Sequence, residues 1–298
     1  MNLLAIVAAL ALEQWHSFQW RAAVERTFLL YVRGIERRLN GGTLGQGIVA
    51  TVLAIAPPVA FAVLAWWALA RVHPALGLLF NVLVLYALMG FRRFSHAISA
   101  IIAALKVGDL GAARRALAAW RGETISDLSS QDIARLAIER GLSDAYRQVF
   151  AVLFWFVVLP GPAGAVLYRS AALLAGEWKG ALPGDDMTVL TRSLQVFGRP
   201  ARLLLWLLDW VPARLTALSF AVVGDFEDAA YCWRTQARSW PEAYGGESLG
   251  VVLASGGGAL GVQLGGSLPG FDGAPDPRPE IGMGEAVEAE VLPSAVGL

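Results

Sequence analysis

Residues 48–70 read IVATVLAIAPPVAFAVLAWWALA, 23 positions without one ionisable side chain. A hydrocarbon layer about 30 Å thick needs roughly 20 apolar residues of helix, so this stretch is long enough to span one. Pro57 and Pro58 are expected to kink it. Trp66 and Trp67 fall near its end, where an aromatic belt would lie. Arg71, Val72, His73 and Pro74 then read as a tight turn, with His73 at headgroup level rather than serving as a ligand. Residues 75–89 return across the membrane, and Phe91, Arg92 and Arg93 anchor that end.

Upstream, residues 13–46 are amphipathic. Arg21, Glu25, Arg26, Arg33, Glu36, Arg37 and Arg38 alternate with Trp15, Phe18, Trp20, Phe28 and Leu29 at helical spacing, and Leu39-Asn40-Gly41-Gly42 supplies the stop. Residues 1–12 lack the basic start and cleavage site of a signal peptide, and eleven apolar residues suit a half-inserted or interfacial helix. Downstream, residues 91–147 form a hydrophilic insert with nine Lys+Arg, which the positive-inside rule assigns to the cytosol. Breaks are expected at Gly108-Asp109 and at Gly122-Glu123-Thr124, and Ser129 or Ser130 is placed to cap the next helix. Residues 149–174 are apolar but interrupted by Pro160-Gly161-Pro162, which permits one kinked span or a re-entrant pair. Residues 202–223 form the last span, with Asp209 and Arg214 read as an ion pair or as substrate contacts. Ser255-Gly256-Gly257-Gly258 and Gly265-Gly266 mark loops, and the tail from about Gly284 has the composition of a frayed terminus.

Composition agrees with a membrane protein. Of 298 residues, 56% are hydrophobic and 16% charged, against about 25% charged in ordinary soluble domains. The net charge is zero but unevenly spread, with 21 Lys+Arg against 13 Asp+Glu in residues 1–224 and 3 against 11 in residues 225–298. The basic part holds the membrane segments, as loops beside anionic headgroups require. No basic and aromatic patch points to nucleic acid. The single cysteine, Cys232, excludes an intrachain disulfide and reads as a small buried residue. The expectation is an all-α polytopic helix bundle. It has an interfacial segment (1–46), a membrane hairpin (47–90), a cytosolic basic helical insert (91–147), further membrane helices (148–224) and a cytosolic, acidic, Gly-rich C-terminal region (225–298). Four to five membrane helices are expected.

An ordered set of short motifs then resembles a known family. Gly34-Ile35-Glu36-Arg37-Arg38-Leu39-Asn40 comes first, followed by Ala112-Ala113-Arg114-Arg115-Ala116-Leu117, Gly122-Glu123-Thr124 and Ala134-Arg135-Leu136-Ala137-Ile138-Glu139. Leu153-Phe154-Trp155, Gly161-Pro162-Ala163-Gly164-Ala165, Tyr168-Arg169 and Val211-Pro212-Ala213-Arg214 follow. Trp240-Pro241-Glu242-Ala243, Leu260 to Gly266 and Arg278-Pro279-Glu280-Ile281-Gly282 complete the set. Together they are similar to the CobD/CbiB cobalamin-biosynthesis membrane proteins. Leu207-Leu208-Asp209-Trp210-Val211-Pro212 and Ala221 to Glu227 also resemble AmpE, a membrane protein of the same superfamily linked to β-lactamase regulation. The first resemblance implies a multi-pass inner-membrane protein. Its implied activity joins a corrinoid acid to aminopropanol phosphate by amide ligation, using ATP and Mg²⁺. Membrane lipids are implied neighbours, and a homo-oligomer or a membrane partner is compatible with it.

Carried onto this chain, the resemblance nominates Glu36, Glu139, Asp144 and Asp209 as catalytic candidates. Contacts to an anionic substrate fall on Arg92, Arg93, Arg114 and Arg115, whose bidentate geometry suits phosphate and anionic lipid alike. Glu123, Thr124, Arg169, Arg214, Glu242 and Arg278 join them through their motifs, and Gly257, Gly258, Gly265 and Gly266 through backbone N–H groups able to approach an anion. No motif assigns a set of metal ligands. The chain also departs from the family's pattern. A Glu there is followed four residues on by Glu and Asn and three further by Asp; here Glu139 is followed by Ser143, Asp144 and Arg147. The Asn-Thr-Leu-Asp after Tyr-Arg is replaced by Ala172-Leu173-Leu174-Ala175, and the Asp pair before Pro-Ala-Arg by Leu205 and Trp206. The family's N-terminal Asp-Pro and His-Pro-Val signature has no counterpart. Two readings stay open: a scaffold without the ligase site, in the manner of AmpE, or a rearranged site built from Glu36, Glu123, Asp127, Glu139, Asp144 and Asp209.

Overall fold

The charge-free stretch lies inside one long helix of the computed structural model, which describes residues 2–15, 20–122, 128–179, 189–269, 275–276, 278–287 and 289–298. In chain order the helices are α1 (Asn2–Trp15), α2 (Arg21–Leu39), α3 (Leu44–Val72), α4 (Pro74–Leu88), α5 (Phe91–Lys106), α6 (Leu110–Arg121) and α7 (Ser130–Ala145). A π-helical turn, Tyr146–Phe150, leads into α8 (Ala151–Val158), then α9 (Ala163–Glu177), α10 (Val189–Phe197), α11 (Arg199–Val223), α12 (Phe226–Gln236) and α13 (Gly246–Leu260). Short strands β1 (Val262–Gly265), β2 (Leu268–Pro269), β3 (Pro275–Asp276), β4 (Glu280–Gly282) and β5 (Glu285–Ala286) precede α14 (Leu292–Gly297). Two compact units divide the chain: Met1–Met89 with Arg147–Asp209, and Gly90–Tyr146 with Trp210–Leu298.

The first unit is built around α3. Thr43 caps it by accepting the Gln46 N–H, and His73 ends it. The same His73 opens α4 by accepting the Ala75 N–H on Nδ1 at 3.2 Å, with Pro74 in the first turn. His73 lies in the expected turn, where it caps α4. Pro57 and Pro58 lie within the continuous helix. A helical N–H bonds the carbonyl four residues back, so Pro57 leaves Leu53 without its donor. The Tyr31 hydroxyl fills that position, donating to the Leu53 carbonyl at 2.6 Å. The same device recurs in α11, where Pro212 deprives Leu208 and the Trp155 indole N–H donates to its carbonyl at 3.0 Å. Pro160-Gly161-Pro162 resolves into the pair of short helices α8 and α9, packed on each other. Gly161 turns there with φ +59°, against the Trp66 ring.

Among the described residues two helices, α3 and α11, are long and apolar enough to cross a membrane, and α1, α4 and residues 94–106 are shorter apolar helices. The two long helices account for part of the four to five spans expected. α4 and α9 have 15 residues each and α8 has eight, short of the roughly 20 that a full crossing takes. Both long helices expose aliphatic and aromatic side chains, including Val52, Phe61 and Leu64 on α3 and Leu203, Leu207 and Leu218 on α11.

In the second unit the boundary signals hold. Asp109 caps α6, Gly122 ends it in the left-handed region, and Ser129 with Asp132 forms a full capping box on α7. Two expectations are corrected and one is refined. The segment Ser255–Gly258 is not a loop: it lies inside α13 and is buried there. A Cβ on Gly258 would meet the Asp228 carbonyl oxygen at 2.5 Å, and one on Gly256 would meet Leu142 at 2.7 Å, so the glycines serve close packing. The chain is nearly all-α, as expected, with a few short strands added. β1 pairs antiparallel with β4 (Leu264 opposite Ile281) and parallel with β5 (Val262 opposite Glu285), and β2 pairs with β3. Finally, the tail beyond Gly284 is folded, with Leu292 1% exposed and α14 packed on α7. Cys232 is buried in α12, and burial pushes its thiol up.

Candidate functional site

Helix α7 carries the buried acids of the second unit. Glu139 is 6% exposed and has both carboxylate oxygens engaged. The Arg278 guanidinium donates to Oε2 at 2.8 Å and to Oε1 at 3.4 Å, and the Gly265 N–H donates to Oε1 at 2.8 Å. Gly265 presents that N–H because it adopts φ +74° beneath the Pro279 carbonyl, where a Cβ would stand 2.1 Å away. Arg278 is 8% exposed and lies 5.8 Å from the Trp240 ring centroid and 5.9 Å from that of Tyr244. The arrangement is a charge-assisted latch that ties the segment after α13 to α7. Beside it lies a small open cleft lined by Gln131, Asp132, Arg135, Gln263, Leu264, Gly265, Glu280 and Val287. Arg135 donates to Asp132 at 2.8 Å and to the Ser267 carbonyl at 3.3 Å, while Gln263 donates to Glu280 at 2.7 Å.

One turn along α7, Asp144 Oδ2 accepts from the Trp120 indole at 2.9 Å and from Arg140 at 3.2 Å. Arg114 sends Nε and Nη2 to the Leu128 carbonyl at 3.0 and 2.6 Å, Arg115 is exposed, and Arg92 Nε donates to His96 Nε2 at 2.9 Å. Arg93 lies on α5, its side chain outside the described residues, as are Glu123, Thr124 and Asp127 altogether. Glu242 opens an exposed 3₁₀ turn. Gly257 is buried in α13 with Gly258, and Gly266 follows Gly265 in the left-handed region beside Arg135. Arg214 stacks on the Trp210 ring at 4.1 Å and reaches Glu247 at 3.4 Å.

The other candidates belong to the first unit. The Tyr168 hydroxyl donates to Asp209 at 2.7 Å. Asp209, expected from sequence to serve with Arg214 as an ion pair or as a substrate contact, accepts this hydrogen bond from Tyr168. Arg169 is paired with Glu25. Glu36 is half-buried on α2, and its carboxyl is held above the ordinary carboxylate range, chiefly by burial and next by the charge of Glu177. Glu177 is bonded by Arg33 at 2.5 Å. The structure therefore joins Glu139, Gly265 and Arg278, and holds Asp144, Asp209, Arg169 and Glu36 in separate polar contacts. Sequence reasoning missed Arg135, Gln263 and Glu280 at the cleft and Trp240 over Arg278. Trp240 and Arg135 lie within the quoted motifs, but the sequence carries no sign of their partners.

The model of the family described as CobD/Cbib protein matches residues 6–298. The chain belongs to the CobD/CbiB family. The cobalamin biosynthesis protein CobD of Stutzerimonas stutzeri (strain A1501) is 34% identical over 299 residues, 99% of this chain and 92% of the relative. That of Chromobacterium violaceum is 36% identical, covering 85% of this chain and 75% of the relative. The Photorhabdus laumondii protein of the same name is 26% identical over 89% of this chain. No solved structure matches.

Proposed function

We propose that this CobD/CbiB-family chain is an inner-membrane protein of cobalamin biosynthesis. The observation that carries the reading is the 34% identity with a cobalamin biosynthesis protein CobD along almost the full length of both chains. Membrane placement is supported by two helices of spanning length with exposed apolar faces. It is supported too by Tyr31 and Trp155, which donate to carbonyls that proline leaves open, because backbone groups in lipid have no water to turn to. The chemical step that fits the family resemblance is amide ligation of a corrinoid acid to aminopropanol phosphate.

Mg²⁺ is the demanding partner in such a step. It takes oxygen ligands, commonly one or two carboxylates beside substrate phosphates. Among the described residues no three His, Cys, Asp or Glu side chains gather to hold a metal. Glu139 spends both oxygens on Arg278 and Gly265, Asp144 Oδ2 is bonded by Trp120 and Arg140, and Asp209 is bonded by Tyr168. Glu139 therefore has no oxygen left for Mg²⁺, and no step is assigned to these carboxylates through Mg²⁺ or ATP. The engagement of Glu139 by Arg278 and Gly265 favours a second reading, in which the chain keeps the family scaffold without the ligase chemistry.

Complementation separates the readings. A strain lacking its own CobD protein, supplied with this gene, is expected to regain cobalamin-dependent growth. Absence of growth with the protein present in membranes would reject the biosynthetic reading. Growth with the wild type and equally with Glu139→Gln would show that Glu139 does no chemistry.

A further inference from the structure

We propose that the arginines at the α2–α3 end of the first unit form a binding rim for anionic phospholipid headgroups. The proposal rests on α3 being a membrane span. Arg37 and Arg38 are exposed in the last turn of α2, and the Arg33 side chain is 52% exposed one turn earlier. Helix α10 is fastened to the same end. Ser193 and Asn40 are joined by a 2.9 Å hydrogen bond, and the Phe197 carbonyl lies so close to Gly47 that a Cβ there would stand 2.2 Å away. Exposed Arg192 and Arg199 flank that attachment. Among the described residues, the carboxylates at this end are Glu177, bonded by Arg33, and half-buried Glu36. Among the described residues the balance at this end is therefore positive.

The apolar face begins where these charges stop. Leu44, Ile48 and Val49, in the first turns of α3, are 46%, 49% and 52% exposed. At the opposite end of α3, Arg71 stacks on Trp67 at 4.7 Å. Guanidinium groups just above an aliphatic surface match a phosphodiester just above its acyl chains, in charge and in bidentate geometry. The arginines open outward instead of enclosing a cavity, which favours a lipid over a free phosphate. Anionic lipid in the leaflet that this end faces is the surface they would meet.

The test uses full-length protein in nanodiscs of phosphatidylcholine with increasing phosphatidylglycerol, with retained lipid measured by native mass spectrometry. Each basic residue near an anionic surface strengthens attachment about fivefold. The variant R37Q/R38Q/R192Q/R199Q is expected to lose at least about tenfold in phosphatidylglycerol retention by the same principle. The all-Lys quadruple variant is expected to keep most of it, and R71Q all of it. Equal retention by the Gln variant and the wild type would overturn the proposal. So would displacement of phosphatidylglycerol by millimolar inorganic phosphate, which would mark a site for a soluble anion. Release of the wild type from membranes by alkaline carbonate would instead defeat the spanning reading on which the proposal stands.

Discussion

Glu139 and Arg278 each sit below one-tenth exposure, and their energetics follow from that burial. Removing one member of a buried ion pair strands the other charge and typically costs about 3–5 kcal/mol. Glu139→Ala and Arg278→Ala are each expected to destabilise the protein by that order. The double variant should lose less than the sum, since neither charge is then left alone. Thermal melts of the purified protein check this, and additive losses would argue against a coupled pair. Glu36 offers a pH test. Its folded-state pKa lies above the ordinary 4.5, so the protonated form is favoured by folding. The resulting stability is full below the ordinary value and is lost as pH rises through the raised one. Glu36→Gln should therefore match the wild type at acid pH and melt higher near neutrality. A constant difference in melting temperature across pH would reject that account.

At the scale of elements, much was legible. Ser129 or Ser130 announced the start of α7, and Leu39-Asn40-Gly41-Gly42 the end of α2, because caps are local chemistry. Gly256, Gly257 and Gly258 misled, because a glycine run reads as a turn unless its partner helix is known, and the Asp228 carbonyl that Gly258 admits lies thirty positions away. The Glu139 latch was half legible: the motifs contained Glu139, Gly265 and Arg278, but no spacing says that they meet. Two glycines turn this into a measurement. Gly258→Ala drives a Cβ onto backbone and should destabilise clearly, whereas Gly34→Ala on α2 meets nothing within 4 Å and should gain about 0.5–1 kcal/mol from helix propensity. Equal responses at the two positions would refute the packing explanation. Tyr31→Phe tests the proline-opened carbonyl in α3. Stranding Leu53 is expected to cost about 1–3 kcal/mol, seen as a lower melting temperature in detergent.

For the whole molecule, the excess of apolar residues was plain in the composition, but the number of crossings was not. The run 149–174 folds into α8 and α9 at the Pro160-Gly161-Pro162 break that the sequence marked, but the choice between one kinked helix and a pair depends on packing that the sequence does not display. The strands β1, β4 and β5 were missed because each has four residues or fewer, too short for alternation to stand out. The protein is expected to remain in the pellet after alkaline carbonate treatment of membranes and to dissolve only with detergent. Recovery in the carbonate supernatant would count against spanning helices.

Tyr31 and Pro57 lie 26 positions apart, on different helices, yet the phenol's task exists because of the ring. The two should be inherited as one character. Related chains with an ordinary residue at the proline position would release the tyrosine to drift, and those that keep the proline should keep a hydroxyl or another donor opposite it. The same bookkeeping should link Trp155 to Pro212.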